Sequence, residues 1–205
     1  MISLRNHLMS RCGRGVGLQI NRSFRCNLNC PYCTALNLGY DTRPCDPPNC
    51  PRPVADWQAW LERFVLPIKF FYISGGEPML DMNTIYLTNW IVRRFRRPVV
   101  IYTNLTTDGL MRVDRSPLVS VVATYHHLCN KLLFLRNYNE AIKRHPRIAV
   151  DEIGRRVLTF SRLKQPIEAD DDSTRAWRVL RAGPDLTLHL SCRDVSLHYA
   201  TSTGE

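Results

Sequence analysis

No run of apolar residues in the 205-residue chain is long enough to cross a bilayer, which takes about 20 residues of helix. Residues 1–14 also lack the apolar core of a secretory signal peptide. These absences argue against a membrane-spanning or exported protein, and we expect a cytoplasmic location. No internal repeat or low-complexity tract is present either. With 44% hydrophobic and 22% charged residues, the composition is that of an ordinary globular domain with its own core.

Acidic residues are in short supply: 18 Asp and Glu face 28 Lys and Arg, which gives a net charge of +10. A basic surplus attracts polyanions such as nucleic acid. Much of it lies in Arg93-Arg94-Phe95-Arg96-Arg97, at the end of a predicted helix, where cations are favourable in any case. A solvated helix end therefore explains this cluster, and nucleic acid is not the favoured partner.

Cysteine is plentiful, with eight residues, but no export signal supports a set of disulfides. Cys26, Cys30 and Cys33 are clustered on a loop that follows a strand-like run, which indicates a metal site in a reducing compartment. A closed structural site normally uses four protein ligands, so three cysteines leave one position open for chemistry. The alternative is a zinc site completed by Cys45 or Cys50, although free loop thiols are the favoured interpretation of that pair.

Two motifs resemble those of the radical S-adenosylmethionine (radical SAM) enzymes. The spacing Cys26-x3-Cys30-x-Tyr32-Cys33 matches the family's Cys-x3-Cys-x-aromatic-Cys pattern. Downstream, the run 71–78 resembles the family's second strand followed by Gly-Gly-Glu-Pro. The two motifs together, in this order and each after a predicted strand, are far more specific than either alone. The resemblance covers roughly the first two-thirds of the chain.

This resemblance implies an α/β fold, a partial barrel of the radical SAM type that is incomplete at its C-terminal end. It implies that Cys26, Cys30 and Cys33 are the metal ligands and catalytic residues, holding a [4Fe-4S] cluster whose fourth iron binds S-adenosylmethionine. Reductive cleavage of that cofactor would give a 5′-deoxyadenosyl radical, which abstracts hydrogen from substrate. The cofactors carry this chemistry while the protein positions them.

Cofactor contacts are implied for the residues that match the family motifs. Glycines allow close backbone approach, and backbone carbonyls and a carboxylate suit the cofactor's ammonium group. Asn104 lies in Thr-Asn-Leu, where the family has Thr-Asn-Gly, so the glycine is missing here. The cofactor-binding residues predicted in this way are Tyr32, Gly75, Gly76, Glu77, Pro78 and Asn104.

Thr124 and His126 are predicted substrate residues, on the following argument. Successive side chains of a strand point to opposite faces of the sheet. The more apolar face, which has every second residue from Val119 to Tyr125, should therefore pack against the helices. The other set, ending at His126, should then face into the barrel, and His127 should point away. Active sites of such barrels gather at the carboxyl ends of the strands, where this pair falls.

The hydrophobic pattern predicts alternating strands and helices, which favours parallel strands with crossover connections. We divide the chain into an irregular lead-in (1–16), a radical SAM core domain (17–160) and a C-terminal extension (161–205). The predicted strands are 18–23, 68–74, 99–103 and 119–125, then two short strands within 147–160 and strand structure within 186–199. The predicted helices are a first one capped by Asp56, then 83–95 and 128–144.

The substrate class is not encoded in any recognisable motif. We expect a small-molecule or peptide substrate and an electron donor such as flavodoxin or ferredoxin. Two alternatives stay open: an RNA-modifying radical SAM enzyme, suggested by the charge, and a zinc-stabilised nucleic-acid-binding module from a different class.

Overall fold

A computed structural model describes residues 16–33, 52–64, 67–153, 160–161, 179–182, 188–192 and 195–199. The loop with Cys45 and Cys50 and nearly all of the predicted linker 161–175 lie outside these residues. Of the predicted lead-in 1–16, only Val16 is described, and it is the first residue of a strand. Searched over the described part of the chain, no helix is both long and apolar enough to traverse a bilayer.

Strands and helices alternate over residues 16–153, and the residues described after 153 form strands. Their bounds, in chain order, are β1 Val16–Asn21, α1 Val54–Glu62, β2 Ile68–Ser74, α2 Met82–Phe95, β3 Val99–Thr103, β4 Val119–His126, α3 Lys131–Arg144, β5 Ile148–Ile153, β6 Phe160–Ser161, β7 Val179–Ala182, β8 Leu188–Cys192 and β9 Val195–Tyr199. Short 3-10 helices cover Pro78–Leu80 and Gly109–Arg112.

The described strands form one sheet, in the order β6-β5-β4-β3-β2-β1-β7-β8-β9. Strands β1 to β5 are parallel, and β7 is parallel to β1. Strands β6, β8 and β9 pair antiparallel with their neighbours. The two outer strands, β6 and β9, do not pair with each other, so the sheet is open. The predicted α/β partial barrel is confirmed, while the domain boundary at residue 161 stays a prediction.

The core lies between the sheet and the helices. Leu18, Phe71, Ile101 and Val121 come from four adjacent strands and are fully buried, and Trp57 of α1 packs against them with no exposed surface. A sheet covered in this way has buried parallel strands, and burial of each large side chain contributes about 1.5–3 kcal/mol.

Several predicted bounds match and some are wrong. Strands β2 and β3 have the predicted limits. Asp56 is not the cap of α1, because Pro53 holds that position and the helix begins at Val54. Helix α3 begins at Lys131 rather than at 128, since the Asn130 side chain accepts from the Leu133 N–H and ends the preceding turn. Strand β7 was not predicted.

The topology decides where the loops meet. In parallel strands all carboxyl ends lie at one edge of the sheet, and ligand sites of open α/β sheets lie there. The cysteine loop follows β1, the Gly-Gly-Glu-Pro segment follows β2, Asn104 follows β3, and His126 ends β4. The fold therefore brings all the predicted site segments to the carboxyl edge.

Candidate functional site

The cysteine loop is attached to the turn after β2 by backbone hydrogen bonds. The N–H of Gly76 donates to the carbonyl of Ser23 (3.1 Å), and the N–H of Glu77 donates to the carbonyl of Arg25 (2.8 Å). These bonds join the two sequence motifs in space. The cysteine loop is thus held directly against Gly75 and Gly76.

Both glycines are needed for this contact. Gly75 has a φ of 131°, and a Cβ there would lie 2.1 Å from the Ser23 carbonyl oxygen. A Cβ on Gly76 would lie 2.2 Å from the Phe24 carbonyl oxygen and 2.3 Å from that of Arg25. From the sequence, we expected these glycines to let the backbone approach a bound ligand. In the structure, the atoms that come close to them are the backbone carbonyls of residues 23–25, at the start of the cysteine loop.

Glu77 is buried, with 2% of its surface exposed, and accepts three hydrogen bonds. Its Oε1 accepts from the Met79 N–H (2.9 Å) and from the Thr103 hydroxyl (2.7 Å), and its Oε2 accepts from the Asn104 N–H. Burial raises the pKa of Glu77 to about 7, although the three donors oppose the rise. Glu77 therefore ties the end of β2 to the end of β3. Pro78, next in the chain, is buried and opens a 3-10 helix.

Asn104 connects β3 to the cysteine loop. Its Nδ2 donates to Asn27 Oδ1 (2.9 Å) and lies 3.9 Å from Cys26 Sγ. Its Oδ1 accepts from the N–H and the hydroxyl of Thr106, and Asn27 Nδ2 donates to that same hydroxyl (2.7 Å). A closed set of hydrogen bonds thus fixes Asn104 beside the first cysteine.

Leu105 has a φ of 55°, in the left-handed region that favours glycine. This is the position where the family motif has its glycine. The backbone conformation is kept although leucine occupies it, because the Leu105 side chain is buried in the core and Asn137 Nδ2 of α3 donates to its carbonyl (2.9 Å). The missing glycine does not change the course of this loop.

The three cysteine thiols influence one another electrostatically. Burial raises the pKa of Cys26, and the neighbouring charges of Glu77, Cys30 and Cys33 raise it further, against the N–H of Leu28 that donates to its sulfur. Burial also raises the pKa of Cys30, which is 5% exposed. Over the described residues, no three His, Cys, Asp or Glu side chains converge as a metal-binding group. The three thiols therefore share one loop without forming such a group in this structure.

Tyr32 folds back onto the end of β4. Its hydroxyl lies 3.2 Å from His126 Nδ1 and 3.4 Å from His127 Nδ1, and its ring stacks on that of His126 at 5.9 Å. His126 Nδ1 is also 3.7 Å from Cys30 Sγ. Burial, followed by the hydrogen bond with Cys30, raises the pKa of Tyr32 to about 12. The structure therefore joins the cysteine loop to β4 through one tyrosine.

The apolar set of β4 packs in the core as predicted, while the expectation for His127 is wrong. Val121 and Ala123 are buried, and Tyr125 packs on Phe134 of α3, whereas Thr124 and His126 are only half-buried. His127 was expected to point away, yet its ring lies 5.4 Å from that of Tyr32. The strand ends at His126, so the alternation rule no longer applies to the next residue.

Other residues of the site were not found from the sequence. Arg22, after β1, is 3% exposed and pairs with Asp81, the cap of α2, while its Nη2 donates to the Arg52 carbonyl. Cys129 is buried and its N–H donates to the His126 carbonyl (2.8 Å); burial raises the pKa of its thiol, and the neighbouring charge of Cys30 adds to the rise. For Arg22, the one signal in the sequence is a charged residue near the end of the predicted strand 18–23.

Comparison with known proteins gives limited likeness. No protein-family model and no curated protein matches the chain. Among solved structures, the chain is similar to SuiB from Streptococcus suis bound to S-adenosylmethionine (TM-score 0.42, 18% identity), to SuiB itself (0.44, 18%) and to SuiB bound to the precursor peptide SuiA (0.45, 20%). The matches cover 64% of this chain but only 29–30% of SuiB. At these values the likeness does not extend to activity, substrate or partners.

Proposed function

We propose that this chain is a radical SAM enzyme. The observation that carries the proposal is the hydrogen-bonded contact between the cysteine loop and the Gly75-Gly76 turn, through Ser23 and Arg25. Two short motifs that match one family, far apart in the sequence, meet at the carboxyl edge of a parallel sheet, the edge that holds ligand sites in such folds.

The donor set suits an iron–sulfur cluster. Cys26, Cys30 and Cys33 are three thiols on one loop, close enough for their charges to interact, and thiolates are the usual ligands of such clusters. The raised pKa values of Cys26 and Cys30 disfavour their thiolates, and a bound metal cation would stabilise the thiolate form. In this proposal the three side chains turn toward one centre on binding. The bound cluster would supply the electron for reductive cleavage of S-adenosylmethionine.

For the cofactor, we propose contacts from the residues next to the cysteine loop. The carbonyls of Gly75 and Gly76 are acceptors for its ammonium group, and Asn104 is held beside Cys26 as a polar contact. Glu77 has accepted three hydrogen bonds, and a carboxylate has about four acceptor sites, so one is left for the ammonium. Pro78 fixes the turn that carries them.

At the other end of the site, we propose that Tyr32 lies beside the adenine, and that Thr124 and His126 face the substrate. The half-buried state of both β4 residues leaves them reachable from the carboxyl edge. In this proposal His127 shares the position of His126 against Tyr32, so the two histidines are to be tested together. A small molecule or a peptide remains the proposed substrate, with flavodoxin or ferredoxin as the proposed electron donor.

The test is 5′-deoxyadenosine formation by the reconstituted protein under anaerobic reduction, followed by mass spectrometry. We expect wild type to form it from S-adenosylmethionine and Cys33→Ala to form none. A wild-type protein that carries the cluster but forms no 5′-deoxyadenosine contradicts the proposed reaction. A protein that binds zinc and no iron contradicts the cofactor and favours the zinc-module alternative.

A further inference from the structure

The amino edge of the sheet, opposite the cysteine loop, carries a concentration of cations. Helices α1, α2 and α3 run back from the carboxyl edge, so their last turns lie beside the amino ends of the strands. Five arginines there have no ion pair with a described carboxylate, and together they are called the basic edge. They are Arg96, Arg97, Arg115, Arg144 and Arg147.

Neighbouring cations at this edge are neutralised by carboxylates, which makes the surplus clear. Lys143 pairs with Glu140 at 2.8 Å, and Arg112 pairs with Asp108 at 3.4 Å. Two more pairs join separate elements: Arg93 with Asp114 (2.6 Å) and Arg94 with Glu62 (3.1 Å). These four carboxylates each pair with a cation outside the basic edge. They therefore do not neutralise the five arginines of the basic edge.

Helix ends explain only part of this charge. Cations in the last turn of a helix are favoured by its dipole, and this covers Arg144. Arg115 and Arg147 lie in the loops that lead into β4 and β5, and Arg97 lies beyond the left-handed cap of α2. The effect of the dipole falls off within the last turn, so it does not account for these three.

The shape and chemistry of the edge indicate the class of partner. A cavity of about 420 Å³ opens there, lined by Met111, Arg115, Glu140, Lys143 and Arg144. Among the residues whose burial is described, the large exposed apolar side chains lie elsewhere, in the first halves of α2 and α3 or near the carboxyl ends of strands. An interface with a protein partner usually has an apolar centre, whereas guanidinium groups alone are sufficient to bind a chain of phosphates.

We propose that the basic edge binds the phosphate backbone of single-stranded RNA. Guanidinium groups along the edge contact successive phosphates, and the cavity holds one nucleotide with its phosphate against Arg115 and Arg144. Glu140 lines the cavity, and because Lys143 pairs with its Oε1, its Oε2 is left to accept from the ribose 2′-hydroxyl, the group that distinguishes RNA from DNA. This binding is independent of the function proposed for the carboxyl edge.

Fluorescence anisotropy with a labelled oligouridine of about 20 nucleotides tests the proposal across a salt series. The test variant is Arg97→Gln/Arg115→Gln/Arg147→Gln. The control, Arg52→Gln/Lys131→Gln/Arg136→Gln, removes the same charge from exposed residues away from the basic edge. Thermal unfolding followed by circular dichroism checks that both variants fold.

We expect the test variant to weaken binding at least about 10-fold at low salt and to flatten the slope of log K against log salt by about 2, from three lost phosphate contacts. The control keeps the wild-type slope. Equal effects of the two variants would overturn the assignment, since binding would then follow net charge alone, and so would absence of binding to wild type. Equal affinity for oligodeoxyuridine, or displacement by an acidic peptide at matched charge, would overturn the assignment to RNA.

Discussion

Many of the polar groups at the carboxyl edge of the sheet are buried and hydrogen-bonded, whereas many of those at the amino edge are exposed and form ion pairs. At the carboxyl edge, Arg22, Glu77, Thr103 and Asn104 are all at most 5% exposed, and hydrogen bonds among backbone and side chains hold the loops in place. At the amino edge the ion pairs are exposed: the Arg93 and Arg94 side chains are 72% and 58% accessible. A buried hydrogen bond that loses its partner is costly, while an exposed ion pair contributes little. The carboxyl edge is therefore the rigid one.

The largest effect on stability should come from Glu77→Ala. Removing the carboxylate leaves the Thr103 hydroxyl and the N–H groups of Met79 and Asn104 without an acceptor. Unsatisfied buried donors cost about 1–3 kcal/mol each, so we expect the free energy of unfolding to fall by about 3–5 kcal/mol. Urea denaturation measures it.

The matched control is Glu62→Ala, which removes an exposed carboxylate paired with Arg94 at the other edge. We expect a loss below about 1 kcal/mol. Similar losses from the two variants would mean that the two edges do not differ as described.

A pH series should sharpen the same contrast. The pKa of Glu77 is raised to about 7 from 4.5, so the folded state binds the proton more tightly than the unfolded state. Stability from this group is therefore greatest at low pH and is lost as pH rises between these values. The expected loss is about 3 kcal/mol between about pH 4.5 and about pH 8.

Glu77→Gln removes the titrating group while keeping its size. We expect the stability of the variant to lack this part of the pH dependence, as measured by urea denaturation at each pH. Parallel curves for wild type and variant would show that Glu77 does not titrate in this range.

Asn137→Ala should have the next effect. Its side-chain amide donates to the carbonyls of Leu105 and Thr107 and is buried, so its loss should cost about 1–3 kcal/mol. Asn139→Ala, at an exposed position of the same helix, should change stability by no more than about 0.5 kcal/mol. Since alanine has the higher helix propensity, propensity cannot cause a loss in either variant, and an equal loss in Asn139→Ala would contradict the role given to the Asn137 contact.

The smallest effect should come from Arg93→Gln, which breaks the exposed pair with Asp114. We expect a change of about 0.2–1 kcal/mol that shrinks as salt is added. Thermal unfolding at several salt concentrations measures the change in stability. A larger loss of stability that does not depend on salt would mean that Arg93 stabilises the fold by more than this exposed ion pair.

The sequence predicted what short-range pattern encodes. Continuous apolar runs located β2 and β3 with correct bounds, and the two motifs located the loops that meet at the carboxyl edge. Helix starts were less accurate because Pro53 and Asn130 compete with other residues as caps. Strand β7 is only four residues long and has Arg181 within it, so no periodic pattern marks it.

The connections within the site could not be predicted in the same way. The contacts of Arg22 with Asp81 and of Asn137 with Leu105 join residues that are far apart in sequence. No local pattern specifies which distant atom a buried polar group will reach. The motif predicted that Glu77 faces a ligand; only the fold shows that three protein donors already bind it.

The iron–sulfur cluster proposed for the cysteine loop is tested by iron and sulfide content after anaerobic reconstitution. We expect about four irons and four sulfides per chain in wild type and almost none in Cys30→Ala. Cys129→Ala, which removes the buried thiol nearby but outside the motif, should keep the wild-type content. Iron retained in Cys30→Ala, or lost equally in Cys129→Ala, would contradict this proposal.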